Sequence, residues 1–529
     1  MKDTRIGILD ALERWASDDD APKVCWLNGM AGIGKSSIAL TLSERLDAKL
    51  LLGASFFCSH SADNARLIVP TISHMLGRIS PPIRSAISQV LENDQDIVSD
   101  SVFRQFNGLI VQTLRRVIPS SVKTYKVVVI DAVDECSEQS IVESLVNAVL
   151  ISASEIPLKF LFTSRPESHI REAFRYHTRT SDIKVYTEIP LQEVTQGKVQ
   201  NDIEIYLRSS LSKIGDRHGY SQGSSPWPPK QELETLLRRS GGLFIYAATA
   251  VRYIGHRDAI PRKRLTKLTG SALPLPSLDS FYKLIMDEAF QNLLDEEERS
   301  SKHDVLAAVT FLRTPQPMAD IASLLDMPNE DIKVYLSGFH SVIQVPSTDD
   351  GRVSIFHASF HEFIINPDRC LGHSVDYVKG HQMLAVKCLQ LLNKSLRRNI
   401  CDLSEGTIGS LPHEIKNPNI ISGALRYSCL YWEFHLAEAL VSTSADVELV
   451  FDQLCRFADE HVLHWFECLS ILGELESGLK SLAKATKAIS VSRQLEEKIY
   501  LTNLSEVLKE ACQIRITLRR RSPVLADGI

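Results

Sequence analysis

The 529-residue sequence has no apolar run long enough to cross a bilayer. Its most apolar stretch, Gly241 to Ile254, contains Arg252 and falls short of the roughly 20 residues that a spanning helix needs. No apolar core follows the opening Met1-Lys2-Asp3-Thr4-Arg5, so nothing there reads as a secretory leader. The ten cysteines form no C-x-x-C pair, which removes the simplest zinc and dithiol frameworks. Several, such as Cys25 and Cys388, lie inside apolar periodic segments, where a thiol behaves as a small core residue. A reducing compartment and a soluble, cytoplasmic protein without a membrane span are therefore expected. There is also no excess of positive charge: the net charge is −6, which argues against nucleic acid as the main partner. The short clusters Arg262-Lys263-Arg264 and Arg519-Arg520-Arg521 read as solvated surface. No fixed-period repeat is present, so a solenoid or propeller is not expected. With 44% hydrophobic and 23% charged residues the composition is that of a folded globular chain, and the length calls for three or four domains.

What is present is a phosphate-binding loop. Gly29 to Ser37 reads G-M-A-G-I-G-K-S-S and places Gly29, Gly34, Lys35 and Ser36 in the register of G-x-x-x-x-G-K-[ST]. Val24 to Leu27 before it has strand character, and Ile38 to Leu42 after it has helical spacing. In that context Gly29, Gly32, Ile33, Gly34, Lys35, Ser36 and Ser37 are expected to wrap nucleotide phosphates with backbone N–H groups and the new helix's positive end. Lys35 would reach the β and γ phosphates, and the Ser36 hydroxyl would serve as a Mg²⁺ ligand.

Strands alternate with helices beyond the loop. Leu50 to Phe57 reads as a strand, Leu67 to Leu76 and Val102 to Val117 as helices, and Val127 to Ile130 as a buried strand ending in Asp131, Asp134 and Glu135. Asp131 at the strand end is placed to hold Mg²⁺ through water, and Asp134 or Glu135 to orient or deprotonate an attacking water. A fourth strand, Leu158 to Ser164, runs into Arg165, for which a γ-phosphate sensor and a structural ion pair are the two readings. The predicted class is an α/β nucleotide-binding domain with a parallel, doubly wound sheet, followed by helical, winged-helix and all-α domains. The domain reading is an N-terminal helix and linker over 1–20, the nucleotide-binding domain over 21–192, a helical domain over 193–296, a winged helix over 297–370 and a helical C-terminal domain over 371–529. The winged helix rests on helical patterns from His303 to Phe339 followed by Ser341 to Val345, a turn at Asp349-Asp350-Gly351, and Arg352 to Phe356. His357 ends that wing. The segment shows no basic recognition stripe, so DNA binding is not expected of it.

Taken together these residues resemble NACHT-domain proteins of the signal-transducing P-loop ATPases, in the fungal group whose nucleotide-binding segment is also described as nephrocystin-like. The residues that carry the resemblance are Gly29 to Ser36, Phe56-Phe57-Cys58, Val129 to Cys136, Phe162-Thr163-Ser164-Arg165-Pro166, Gly242 to Ala247, Phe356 to Phe363 and Asn399 to Leu403. The resemblance implies a switch that ADP holds closed and ATP opens, with self-association of the open form and effector or sensor proteins as partners. A role in innate-immunity-like or cell-death signalling goes with it. It also implies that His357 touches the ADP phosphates. Where related receptors often have a Pro that touches adenine, this chain has Gly242-Leu243-Phe244.

The resulting expectation is an ATP/ADP-binding, Mg²⁺-dependent module with slow hydrolysis. A scaffold that binds nucleotide without turning it over is the alternative. A kinase on the same loop is a third reading, for which the helical domains after the sheet leave no evident acceptor pocket.

Overall fold

The computed structural model describes residues 4–491 apart from 60–64, 119–125, 137, 179–184, 194–195, 221–226, 258, 271–276, 292–294, 347, 349, 402–420 and 442–447. The chain divides at Ser280/Phe281 into two compact units.

The first unit is built on five parallel strands: β1 (Val24–Asn28), β2 (Leu52–Phe57), β3 (Lys126–Asp131), β4 (Leu158–Ser164) and β5 (Tyr186–Pro190). Their order across the sheet is β2-β3-β4-β1-β5. β4 pairs with β1 from Val24↔Phe160 to Asn28↔Ser164, and with β3 from Lys126↔Leu158 to Ile130↔Phe162. Both faces of this sheet are covered, so its inner strands are apolar throughout rather than alternating. One face sets Trp26, Val128, Ile130, Phe160 and Phe162 into a core with Phe106 and Phe174. The Trp26 and Phe174 rings stack at 4.6 Å. The other face carries Cys25, Leu27, Val127, Val129 and Leu161. Helices α1 (Ile6–Ser17) and α2 (Lys35–Ala48) lie there, burying Leu9, Leu12, Trp15, Ile38, Leu42 and Leu46.

Lys159 is the one charged residue in the middle of β4, and it is fully buried. Its ammonium donates to the carbonyls of Trp15, at 2.6 Å, and Asp18. These orphan carbonyls at the C-terminal end of α1 are a negative dipole end, so the cation both satisfies them and clamps the helix to the sheet.

The face opposite α1 carries α3 (Ile68–Ile79), α4 (Pro81–Asn93), α5 (Val102–Gln105), a π-helical stretch Phe106–Gln112, α6 (Thr113–Val117), α7 (Gln139–Ser152) and α8 (Ser168–Thr178). Sequence periodicity marks neither α4 nor α7. The paired prolines of α4 look like a breaker but occupy its first turn, where no N–H partner is lost. α7 is apolar around most of its circumference and so lacks a clean stripe. After β5 come α9 (Gln196–Arg217), α10 (Lys230–Ser240), α11 (Phe244–Ile254) and α12 (Pro261–Thr269). The break between α10 and α11 falls at Gly241 and Gly242, with φ of 55° and 82°. That left-handed backbone is what glycine supplies there.

Helix α13 (Leu278–Phe290) leads into the second unit, with α14 (Glu296–Phe311), β6 (Gln316–Pro317), α15 (Met318–Leu325), α16 (Asn329–Leu336), β7 (Ile343–Gln344) and β8 (Arg352–Ile355). The three short strands form an antiparallel sheet in the order β6-β8-β7. α17 (Ala358–Ile364), α18 (Pro367–Cys370), α19 (Tyr377–Ser395), α20 (Gly423–Ala439), α21 (Glu448–Arg456), α22 (Val462–Ile471) and α23 (Leu475–Val491) complete the unit. A π-helical stretch at Phe457–His461 joins α21 to α22. Asp349 of the expected turn, Asp402-Leu403 and the cluster Arg519-Arg520-Arg521 lie outside the described residues. All nine cysteines among the described residues are free thiols, eight of them buried.

The core of the second unit holds a polar chain. His381 of α19 and His435 of α20 share a hydrogen between their Nδ1 atoms at 2.9 Å, and His435 Nε2 meets the Tyr427 hydroxyl at 2.7 Å. The Arg313 backbone N–H donates to that hydroxyl at 2.9 Å. Burial, then the charges of Arg313 and His361, pushes His381 down to about 4, and His435 is also held well below its ordinary value by burial, His381 and Arg313. Because the folded state takes up its proton later than the unfolded one, this stability is fully present above about pH 6.5 and is lost as pH falls toward 4. The His381 contribution is on the order of 3 kcal/mol. Denaturant unfolding followed by tryptophan fluorescence should show that loss in the wild type. A His381→Phe variant, less stable at neutral pH, should lose less over the same interval.

Candidate functional site

The glycine loop sits between the carboxyl end of β1 and the first turn of α2, and three contacts hold it. Gly29 N–H donates to the Ser164 carbonyl at the end of β4, at 3.2 Å, and Ile245 N–H of α11 donates to the Gly32 carbonyl at 3.1 Å. Gly32 and Gly34 adopt φ of 76° and 99°, and a Cβ on Gly32 would stand 2.4 Å from the Ile245 side chain. The loop therefore requires glycine for its curl and for the close approach of α11. The third contact comes from Arg5, whose guanidinium donates to the Ile33 carbonyl at 2.9 Å. Lys35 Nζ donates to the Gly29 and Met30 carbonyls at 2.8 and 3.0 Å. Burial lowers its pKa, opposed by the charge of Asp134. Ser37 backs the loop as the third residue of α2.

The acidic turn follows β3. Asp131 is buried, and its carboxylate accepts from the hydroxyls of Thr163 and Ser36. Thr163 Oγ1 also accepts from the Ala132 N–H at 2.9 Å. Ala132 is left-handed at φ 55°, and this bend turns Val133–Glu135 back over the site. The Asp134 side chain is only 4% exposed. Its Oδ2 pairs with Arg165 Nε at 3.2 Å, and its Oδ1 is buried without a hydrogen-bond partner. The expected γ-phosphate sensor and the expected catalytic acid thus form an ion pair with each other, which was the other reading of Arg165. Glu135 is pushed up to about 7 by burial first, then by the charges of Asp134 and Asp131. A carboxyl near 7 is suited to accept a proton at neutral pH.

The fold thus brings Gly29, Gly32, Ile33, Gly34, Lys35, Ser36, Ser37, Asp131, Asp134, Glu135 and Arg165 to the carboxyl ends of the inner strands of one sheet. His357 belongs to the second unit. It lies beyond the end of β8 and caps α17, its Nδ1 accepting from Ser359 N–H at 3.1 Å and lying 2.7 Å from the Ser359 hydroxyl. The expectation that it ends the wing strand is corrected accordingly: the strand stops at Ile355.

Sequence reasoning passed over Arg5. It is 6% exposed, its ring-facing side lies 5.0 Å over Phe244, and its Nε is 3.9 Å from Asp202 of α9. Nε and Nη1 lack hydrogen-bond partners. With Thr4, Gly34, Ser37, Thr41 and Phe244 it lines a narrow cleft beside the first two turns of α2. A lone Arg ahead of an amphipathic helix carries no pattern that would single it out.

Residues 8–165 match the family model described as Nephrocystin 3, N-terminal. The match falls on the strands and helices that surround the glycine loop and the acidic turn. The chain as a whole is similar to the vegetative incompatibility protein HET-E-1 of Podospora anserina, 21% identical over 511 residues. That match covers 91% of this chain and 36% of the relative, so the chain spans about a third of the relative's length. Among solved structures it is similar to the Aeropyrum pernix ORC1 protein in complex with DNA (13% identity, TM-score 0.32, covering 68% of this chain and 89% of that one). Cdc6p of Pyrobaculum aerophilum matches at 12% identity and TM-score 0.31, covering 68% and 95%. Among the described residues no helix is long and apolar enough to cross a membrane.

The raised Glu135 has a consequence for the stability of the first unit. A folded-state pKa above the ordinary 4.5 means that this group's contribution is present below about pH 4.5 and is lost as pH rises through 7. Glu135→Gln removes that cost. Nucleotide-free Glu135→Gln should therefore melt higher than the wild type above pH ~7, by up to about 3 kcal/mol, with the gap closing in acid. Melting curves across that pH interval measure it.

Proposed function

We propose that the chain is an ATP/ADP-controlled switch with slow, Mg²⁺-dependent hydrolysis. The observation that carries this is the direct contact between the Ser36 hydroxyl and the Asp131 carboxylate. Two oxygens from the loop and from the neighbouring acidic turn converge there, the hard donor set that Mg²⁺ takes alongside phosphate and water. Ser36 and Asp131 would hold the metal, which supplies charge neutralisation for the phosphates. Lys35 leaves its two loop carbonyls to bind the β and γ phosphates, while Gly29, Gly32, Ile33, Gly34 and Ser37 supply the backbone cradle. Glu135 accepts the proton of the attacking water, and Arg165 exchanges Asp134 for the γ phosphate. That exchange makes turnover slow, because a buried ion pair must first open. The same ion pair favours the second reading, a nucleotide-bound scaffold in which it never opens.

The similarity to a protein named for vegetative incompatibility supports a signalling role. In this reading the ATP form self-associates and gathers effector or sensor partners in the cytoplasm, and the helices and small sheet of residues 297–370 act as a winged helix that responds to nucleotide.

Lys35→Ala should abolish the melting shift that ATP or ADP gives the wild type, worth about 2.7 kcal/mol at a hundredfold excess over Kd. Glu135→Gln should keep that shift while losing Mg²⁺-dependent phosphate release by about a hundredfold. A shift that persists in Lys35→Ala would sink the site, and absence of phosphate release from the wild type would favour the scaffold.

We assign His357 a role in ADP retention. His357→Leu should weaken ADP binding about tenfold, or 1.4 kcal/mol, leave ATP binding nearly unchanged and raise the oligomeric fraction on sizing columns with ATP. Equal loss of both nucleotides would instead mark damage to the α17 cap.

A further inference from the structure

The charge of this chain is unevenly placed. Between Arg238 and Lys267 the sequence holds eight basic residues and one acidic residue, within a chain of net charge −6. The fold sorts them by face. In α12, Pro261, Leu265 and Leu268 are buried, while Arg262, Lys263 and Lys267 are exposed. Arg238 at the end of α10 and Arg257 ahead of α12 are exposed as well. Arg239 and Arg264 turn inward, donating to the Gly270 and Tyr253 carbonyls, so they brace the helices beneath. Of the acids on the packed α10, Glu232 reaches α12 itself, accepting from the Thr266 hydroxyl at 3.0 Å, whereas Glu234 lies 3.9 Å from Lys230. Arg262 is held over the Tyr220 ring at 4.6 Å, a contact that orients its charge without cancelling it. At the start of α12, beside these cations, Ile260 is 53% exposed.

We propose that this face docks on an anionic phospholipid bilayer. Clustered Lys and Arg on an amphipathic helix are drawn to acidic headgroups, each cation adding to the attraction. An exposed Ile at the helix start can enter the boundary between headgroups and acyl chains. The remainder of the chain is net negative and is repelled by the same surface, so docking occurs with α12 facing the bilayer. Nucleic acid fits the face less well. The aromatic residues of this segment, Phe244, Tyr246 and Tyr253, are each 3% exposed and cannot stack on bases. The inference is independent of the nucleotide reading, since neither Ile260 nor the exposed basic side chains of α12 line the cleft beside the glycine loop.

Flotation of the full chain with vesicles of phosphatidylcholine, alone or mixed with phosphatidylserine, tests it. Binding is expected to the mixed vesicles only and to weaken with added salt. The triple variant Arg262→Gln, Lys263→Gln, Lys267→Gln should lose about a hundredfold in partitioning. Its stability should stay within about 1 kcal/mol of the wild type, the Arg262–Tyr220 contact being lost, and its nucleotide-dependent melting shift should be unchanged. Ile260→Ser should weaken binding while leaving its salt dependence intact. Equal partitioning of wild type and triple variant, no binding to mixed vesicles, or tighter binding to duplex DNA than to those vesicles would each overturn the proposal.

Discussion

Asp131, Asp134 and Glu135 close a single buried strand end with three carboxylates, and keeping them there is the constraint to which the rest of the first unit answers. Unpaired, such charges are costly to bury. The fold meets the cost in three ways. Thr163 and Ser36 donate hydroxyls to Asp131, Arg165 pairs with Asp134, and Glu135 moves up to about 7 so that it is partly neutral. Every one of these devices lies on β4, on the glycine loop or in the turn itself. The charges that prepare the site are therefore the ones that hold it shut.

The strand order makes this possible. Because β4 stands between β1 and β3, its end reaches both motifs: Ser164 takes the Gly29 N–H, Thr163 braces Asp131, and Arg165 faces Asp134. At mid-strand, Lys159 clamps the C-terminal end of α1, whose opposite end carries Arg5 onto Ile33. α1 is thus tied to the same strand as the acidic turn and to the loop itself. A displacement of the loop on binding phosphate would be felt along α1, and through the Ile245 to Gly32 bond along α11. The second unit is held differently, by a neutral histidine and tyrosine chain in its core that tolerates neutral pH and not acid.

Local chemistry was legible wherever a motif is contiguous. The glycine loop, the acidic turn and the strand feeding Arg165 could be read directly, since each is a few adjacent residues whose spacing carries its own physical meaning. Helices α4 and α7 were not, one because its prolines sit harmlessly in a first turn and the other because it is buried nearly all round. His357 was misplaced by two residues, a strand end read where a helix cap stands, because a His that follows a short strand and one that precedes a short helix look the same in sequence.

The sequence by itself determined which residues are of the kind and order that phosphate and acid chemistry call for, because such chemistry needs specific atoms in a specific order. The tertiary structure alone decided how they balance. Arg5 lies 28 positions from Ile33, its bonding partner, and Thr163 lies 32 from Asp131. The Arg165–Asp134 ion pair likewise joins groups from two different strand ends. Such pairings are consequences of strand order and crossover geometry, and desolvation of Glu135 follows from what is packed around it. Electrostatic state is a property of the assembled neighbourhood, which no local run of residues encodes.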